Sequence, residues 1–304
     1  MIARLQKMML CWGLLLMACA VGWWWPQSPW ALAASLLGLL ALNPLALGLE
    51  FVIMAQVNRR DPAPRALWPQ VLRAWVVEVR ASSRVFGLWQ PFQADALADQ
   101  LQPGRPPGKR GVLLIHGYFC NRGVWTPWMQ HCTAVGRPFL ALSLEPPFGS
   151  IDAYVDQVDR AVTVLTEATG QPPVIVAHSM GGLVSRAWWR ASAARGDAPR
   201  VHHVITLGTP HQGTWLARWG HTTNGRQMRL ASPWLQALAA EEPADRATAF
   251  SCFYSNCDNI VFPAHTATLP GAQAHLVPGI PHVALATDPG VRTQVMALIE
   301  KMDG

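Results

Sequence analysis

Charge is what this sequence holds least of. Asp, Glu, Lys and Arg make up 14% of its 304 residues while 51% are hydrophobic, against roughly 25% charged in an average globular protein. A deficit of that size points to segments that sit inside a membrane. Cysteines are few and scattered. Cys11 and Cys19 lie in the apolar N-terminus, and Cys120, Cys132, Cys252 and Cys257 have no metal-ligand spacing, so neither a disulfide scaffold nor a metal module is expected. They fit free thiols in a reducing compartment, although Cys252 and Cys257 would be able to pair in an oxidising one. The net charge of +6 comes without a basic helix or an aromatic-basic motif that would read bases, so no nucleic acid is expected as a partner. The placement of Arg59, Arg60, Arg65 and Arg73 fits a juxtamembrane positive excess instead. No internal repeat is present.

What is there begins with two apolar runs. Met8 to Trp25 carries no charge, and Trp30 to Leu49 is a second run of spanning length, with Glu50 directly after it. Pro26-Gln27-Ser28-Pro29 separates them, and Trp23, Trp24, Trp25 and Trp30 cluster at that turn. Arg4 and Lys7 precede the pair and Asn58-Arg59-Arg60 closes it. Residues 1–60 therefore read as a transmembrane hairpin (about 8–25 and 30–49) with both ends in the cytoplasm and the tryptophan turn outside. Pro44 is tolerable in such a helix and bends it. A competing reading makes the first run a signal peptide, because Ala18-Cys19-Ala20 resembles a cleavage site. Even then the second run would remain as an anchor.

Residues 61–110 read as a connecting region. Leu67 to Trp89 places Leu72, Trp75, Val76, Val79, Val85 and Phe86 among Arg73, Glu78, Arg80 and Arg84, the pattern of a basic amphipathic helix. Such a helix lies on the membrane surface or packs on the domain that follows; the sequence leaves both open. Pro103-Gly104-Arg105-Pro106-Pro107-Gly108 is a loop or linker by composition.

From Gly111 the texture changes. Strands are expected at 112–115, 139–142, 174–176, 203–207, 250–254 and 274–277, with helices over 151–169 and 292–301 among them. That alternation predicts an α/β domain over 111–304, a mostly parallel sheet flanked by helices. Sites in such sheets form at the carboxyl ends of the strands. Ala177-His178-Ser179-Met180-Gly181 sits at one such end, where a strand turns sharply into a helix. The turn lifts the serine hydroxyl clear of the sheet and needs small residues beside it. Asp258 follows the strand at 250–254, and His282 follows the strand at 274–277. His282 is expected to take the Ser179 proton and Asp258 to hold the imidazole. After the first strand comes His116-Gly117-Tyr118. The Tyr118 amide, with that of Met180, is the expected oxyanion hole, and His116 is expected to brace the loop. His265, His275, Asp245 and Asp288 compete for the roles of base and acid. They lack a strand-end context or fall in the wrong chain order.

Here the sequence resembles the bacterial lipase/esterase branch of the α/β-hydrolase superfamily, close to triacylglycerol lipases. The matching stretches are His116-Gly117-Tyr118, Ala177 to Gly182, Leu207-Gly208-Thr209-Pro210-His211-Gln212-Gly213-Thr214, Ser232 to Leu238, Tyr254 to Asp258 and Pro281-His282. They cover most of 111–304 and none of 1–110. The order Ser179, Asp258, His282 is the one that fold uses. The resemblance implies an α/β-hydrolase fold and carboxylic-ester hydrolysis with no redox, nucleotide or other cofactor; calcium ligands of that group find no match here. Residues 211–248, with Trp215, Trp219, Met228, Leu230, Trp234 and Leu238, form an insertion between two core strands. It reads as a cap or lid whose apolar residues line an acyl pocket, as ordinary helix packing, or as both on different faces. Arg218, Arg226 and Arg229 read as a solvated face, ahead of a contact for an anionic head group. The expected protein is a membrane-anchored serine hydrolase of the bacterial inner membrane. Its catalytic domain faces the cytoplasm, and its partners are a lipid or acyl-ester substrate and the membrane. An acyltransferase or thioesterase would use the same triad. A non-catalytic scaffold with a decayed domain is the remaining alternative.

Overall fold

The computed structural model describes residues 1–102, 108–196, 200–243 and 246–303. Residues 103–107 of the loop expected at 103–108, and the competing Asp245, lie outside the described residues.

Six strands form one sheet in the order β2-β1-β3-β4-β5-β6, all parallel. They are β1 Val112–Ile115, β2 Phe139–Ala141, β3 Val174–His178, β4 His203–Leu207, β5 Phe250–Tyr254 and β6 Gln273–Leu276. β1, β3 and β4 are buried almost throughout. This is why they read as unbroken Val/Ile/Leu runs rather than as alternation. Successive side chains point to opposite faces. Leu113, Ile115 and Ile175 enter one core with helices α6 (Val155–Thr169) and α7 (Met180–Ala194). Val112, Leu114 and Val176 enter the other, with α5 (Thr126–Ala134) and α11 (Pro289–Glu300). The expected parallel sheet flanked by helices is what forms.

The N-terminal segment builds two long helices, α1 (Ile2–Trp24) and α2 (Pro29–Val57). Both are long and apolar enough to cross a membrane. At 1.5 Å per residue they measure about 34 and 43 Å. Ser28 starts α2 by accepting a hydrogen bond from the Ala31 amide (3.2 Å), with Pro29 in the first turn. The helix does not end at Leu49. It continues two turns further, so Glu50 lies inside α2 rather than beyond the apolar run.

Helix α3 (Trp68–Arg84) runs against α2 and then meets α10 (His282–Thr287). Its C-terminal end widens into a π turn (Val85–Trp89) before the single turn α4 (Gln90–Phe92). Of the two placements left open for this helix, the structure supports packing on the sheet domain. Val71, Ala74, Glu78 and Ser82 are buried. Leu67, Trp68 and Leu72 stay exposed. The Trp75 indole donates to the Pro44 carbonyl of α2 (2.8 Å).

The described residues of 211–248 include a 3₁₀ turn (Trp215–Trp219) and the short helices α8 (Thr223–Gln227) and α9 (Pro233–Glu241). Glu242 at its end receives a two-pronged hydrogen bond from Arg186 of α7 (2.8 and 2.7 Å), both side chains fully buried. Arg229 is not part of a solvated face. Its guanidinium donates to the carbonyls of Ala217 and Gly220 (3.2 and 2.8 Å), at the end of the 3₁₀ turn. All six cysteines are free.

Candidate active site

The carboxyl ends of β3, β5 and β6 converge on one point. Ser179 stands between β3 and α7 with φ 55° and ψ −127°, a left-handed backbone that is strained for a serine. Its amide is held by the Leu207 carbonyl of β4 (2.9 Å), and its carbonyl accepts from the Thr209 hydroxyl (2.8 Å). Gly181 lies so close to β1 that a Cβ there would collide with the Ile115 carbonyl oxygen. This is the small-residue requirement read from the sequence, while the Ala177 methyl packs in the core.

Asp258 follows β5, and its Oδ1 accepts from the amides of Ile260 (2.9 Å) and Val261 (2.7 Å). Its Oδ2 lies 2.9 Å from His282 Nδ1, and His282 Nε2 lies 3.0 Å from Ser179 Oγ. With Nδ1 donating to the carboxylate, Nε2 is left to accept the serine proton. The three residues expected to work together are thus joined in one relay, all buried. His116 is placed as a brace. Its Nε2 accepts from the Leu144 amide (2.9 Å), so Nδ1 donates to the Gly117 carbonyl (2.8 Å). Burial pushes its pKa down to about 4, which keeps the ring neutral. The competitors sit elsewhere: His265 pairs with Asp61 (2.8 Å), His275 stacks on Phe253, and Asp288 caps α11 through the Val291 amide (2.9 Å).

The two amides expected as oxyanion donors border Ser179. Met180 opens α7, so its N–H has no partner within the helix. A Cβ on Gly117 would come 2.6 Å from Ser179 Cβ, which puts the Gly117-Tyr118 loop directly against the serine.

Three carboxyl and imidazole groups around His282 carry no local sequence signal. Glu78 of α3 is buried beside α10, and its carboxylate accepts from the amides of Val283 (2.8 Å) and Ala284 (3.3 Å). Burial raises its pKa to about 7, against the pull of those amides and of His282. Glu50 of α2 accepts from Asn259 Nδ2 (2.7 Å), and Asn259 Oδ1 accepts from the His282 amide (3.3 Å). His178 Nε2 donates to the His282 carbonyl (3.0 Å), and burial holds this ring neutral. For His282 itself, burial opposes protonation. The charge and hydrogen bond of Asp258 outweigh that, with smaller help from Glu78 and Glu50, and raise its pKa above the ordinary value.

Two cavities meet at Ser179. One, of about 240 Å³, is walled by Gly117, Tyr118 and His282 on the sheet side and by Leu47, Glu50 and Glu78 on the helical side. The other, of about 370 Å³, runs under the 211–248 insertion past Leu216, Trp219 and Met228. Of the apolar residues expected to line a pocket, Trp219 and Met228 do so. Trp234 instead packs on the core that α7 enters and donates to Asp152 (2.7 Å), Leu238 is buried on α9, Leu230 is exposed, and Trp215 packs on Phe262.

No curated protein matches the sequence. Among solved structures, the mature lipase BlEst2 of Bacillus licheniformis superposes with a TM-score of 0.57 at 16% identity, over 65% of this chain and 96% of that one. Aspergillus fumigatus lipase B superposes with a TM-score of 0.52 at 16% identity, over 64% of this chain and 53% of that one, so this chain spans about half of that lipase. At these identities the likeness is one of fold. A model of the Alpha/beta hydrolase family matches residues 112–299, which hold every strand of the sheet together with Ser179, Asp258 and His282: the chain belongs to that family.

Proposed function

We propose that the protein is a membrane-anchored serine carboxylic-ester hydrolase that cleaves lipid-like or acyl esters through an acyl-enzyme. The observation that carries this is the buried relay from Asp258 through His282 to Ser179, at 2.9 and 3.0 Å, opening on two largely apolar cavities. Ser179 Oγ attacks the ester carbonyl carbon while its proton passes to His282 Nε2. The amides of Tyr118 and Met180 receive the oxyanion, each worth a few kcal/mol where such donors have been removed. Collapse of the intermediate expels the alcohol, which takes the proton from His282 and leaves an acyl group on Ser179. Water then attacks with His282 as base, and the free acid leaves. Asp258 fixes the imidazole and stabilises its cation. That the solved structures of like fold include lipases supports the ester class.

The membrane part of the reading rests on α1 and α2. Ile2 and Gln6 of α1 are buried, and Gln6 Nε2 donates to Gln90 Oε1 of α4 (2.7 Å). Such contacts favour a retained helix over a cleaved signal. The basic residues near both helix ends favour a cytoplasmic hydrolase domain at a bacterial inner membrane. A fluorophosphonate probe tests the chemistry on the full chain. It is expected to label the wild type and not Ser179→Ala. Equal labelling of both, or none of a folded wild type, refutes the nucleophile.

A further inference from the structure

The cavity at Ser179 does not end at the hydrolase domain. Its helical wall is built by Asn43, Leu47 and Glu50 of α2 and by Glu78, Ser82 and Phe86 around α3. Asn43, Ser82 and Phe86 also line a larger cavity of about 610 Å³, whose other walls include Met9 and Leu10 of α1 and Leu39 and Leu42 of α2. The residues of α2 that face this path are Leu39, Leu42, Asn43, Leu47 and Glu50. They are spaced by three, one, four and three positions, which is one stripe of a helix. On the other side Glu78, Ser82 and Phe86 repeat every four positions. Two cavities with three shared wall residues form one cleft between α1, α2 and α3, leading to the serine.

The cleft runs along the apolar helices, not toward the basic end. Leu42 and Leu39 lie roughly 12 and 16 Å along α2 from Glu50, well inside the depth of a ~30 Å hydrocarbon layer measured from that end. At the mouth Leu42 is itself exposed, as are Leu37, Leu40 and Leu45 around it, so the mouth opens where lipid-facing side chains lie. The cavity under the 211–248 insertion reaches Ser179 from a different direction.

We infer that the cleft binds the acyl chain of a bilayer-resident lipid ester and admits it sideways from the hydrocarbon layer to Ser179. This rests on the hydrolase reading and adds the route and the substrate class. A long chain slides between α1 and α2 with its methyl end toward the bilayer centre. Its ester carbonyl passes Asn43 and Ser82 and arrives beneath Glu50 at the serine. The exchange is apolar for apolar, so the chain never crosses water. Short soluble esters are served by the cavity under the insertion.

The full chain in phospholipid vesicles tests this with two probes, a hexadecyl and an ethyl fluorophosphonate. The ratio of long- to short-chain labelling is expected to fall roughly tenfold in Leu42→Trp, which fills the mouth. It stays at the wild-type value in Leu37→Trp, whose exposed side chain lies on the opposite face of α2 from the stripe. A ratio unchanged in Leu42→Trp while both probes label Ser179 overturns the route and leaves the hydrolase standing. No labelling by either probe overturns the hydrolase reading itself. If Leu42→Trp does not fold, wild-type protein in vesicles doped with a phospholipid bearing a diazirine on its acyl chain decides. Lipid adducts on Ser82, Phe86 or Phe119, which face the cleft rather than the outer surface, support the route. Adducts confined to outer-facing residues refute it.

Discussion

His282 is the residue on which pH dependence turns. In the proposed mechanism it must be neutral to accept the Ser179 proton, and its pKa is raised by Asp258, Glu78 and Glu50 against the effect of burial. Activity is therefore expected to fall as pH drops through a value above the ordinary 6.5. Glu78 titrates close by, at about 7, so the acid limb belongs to the pair rather than to one group. Replacing Glu78 by Gln removes a negative charge that favours imidazolium and leaves a side-chain carbonyl to accept from the Val283 amide. The limb of kcat/KM against pH for a soluble ester is expected to move to lower pH, by up to about one unit. A limb that stays put or moves upward refutes the coupling. Because Glu78 reaches His282 through the N-terminus of α10, it is a positioning residue; a purely structural loss would lower activity at every pH without moving the limb.

Among the elements, α7 ties the serine turn to the insertion that roofs it. The Arg186–Glu242 pair is buried on both sides, and Arg186 also donates to the His211 carbonyl (2.7 Å). Glu242→Gln strands a buried guanidinium, which typically costs about 3–5 kcal/mol. The thermal unfolding midpoint of the full chain should drop clearly, and Arg186→Met with Glu242→Leu should recover only part of it, because Arg246 also pairs with Glu242 (2.7 Å). A single variant as stable as wild type refutes this. The strands were legible because a buried parallel strand is an unbroken apolar run; 112–115, 203–207 and 250–254 coincide with β1, β4 and β5. The strand expected at 274–277 sits one residue earlier, since β6 is a half-exposed edge and its pattern is weaker. Ser179, Asp258 and His282 were readable from their places at strand ends. Glu78 and Glu50 were not, because their partners lie 205 and 209 positions away and nothing nearby in sequence marks them. On α3 the apolar residues catch the eye, yet the helix turns Glu78 inward because the first amides of α10 need an acceptor.

At the scale of the whole molecule, the hydrolase domain sits at one end of the α1–α2 pair. Gln6, Phe51, Met54 and Asn58 are buried there, whereas Trp23, Trp25 and Trp30 are exposed at the other end. The apolar runs announced two helices long and apolar enough to span a membrane, but not that their near ends would line the candidate site, since a helix that is apolar all round gives no sign of which face meets protein. The ends near the domain also carry Arg4, Lys7, Arg59, Arg60, Arg65 and Arg73. Short segments rich in Lys and Arg are retained on the cytoplasmic side, and amphipathic tryptophans settle at the interface. In the proposed topology both ends of the pair then lie on the cytoplasmic face, with the hydrolase domain beside them. A fluorescent protein that matures only in the cytoplasm, fused after Gly304, is expected to be bright, and a phosphatase active only outside, fused at the same place, silent. Fusing the phosphatase between Gln27 and Ser28 should reverse the outcome, because the turn is the one segment placed across the bilayer. A silent fluorescent fusion with an active phosphatase at Gly304 would put the domain outside, and the charge argument for this chain would fail.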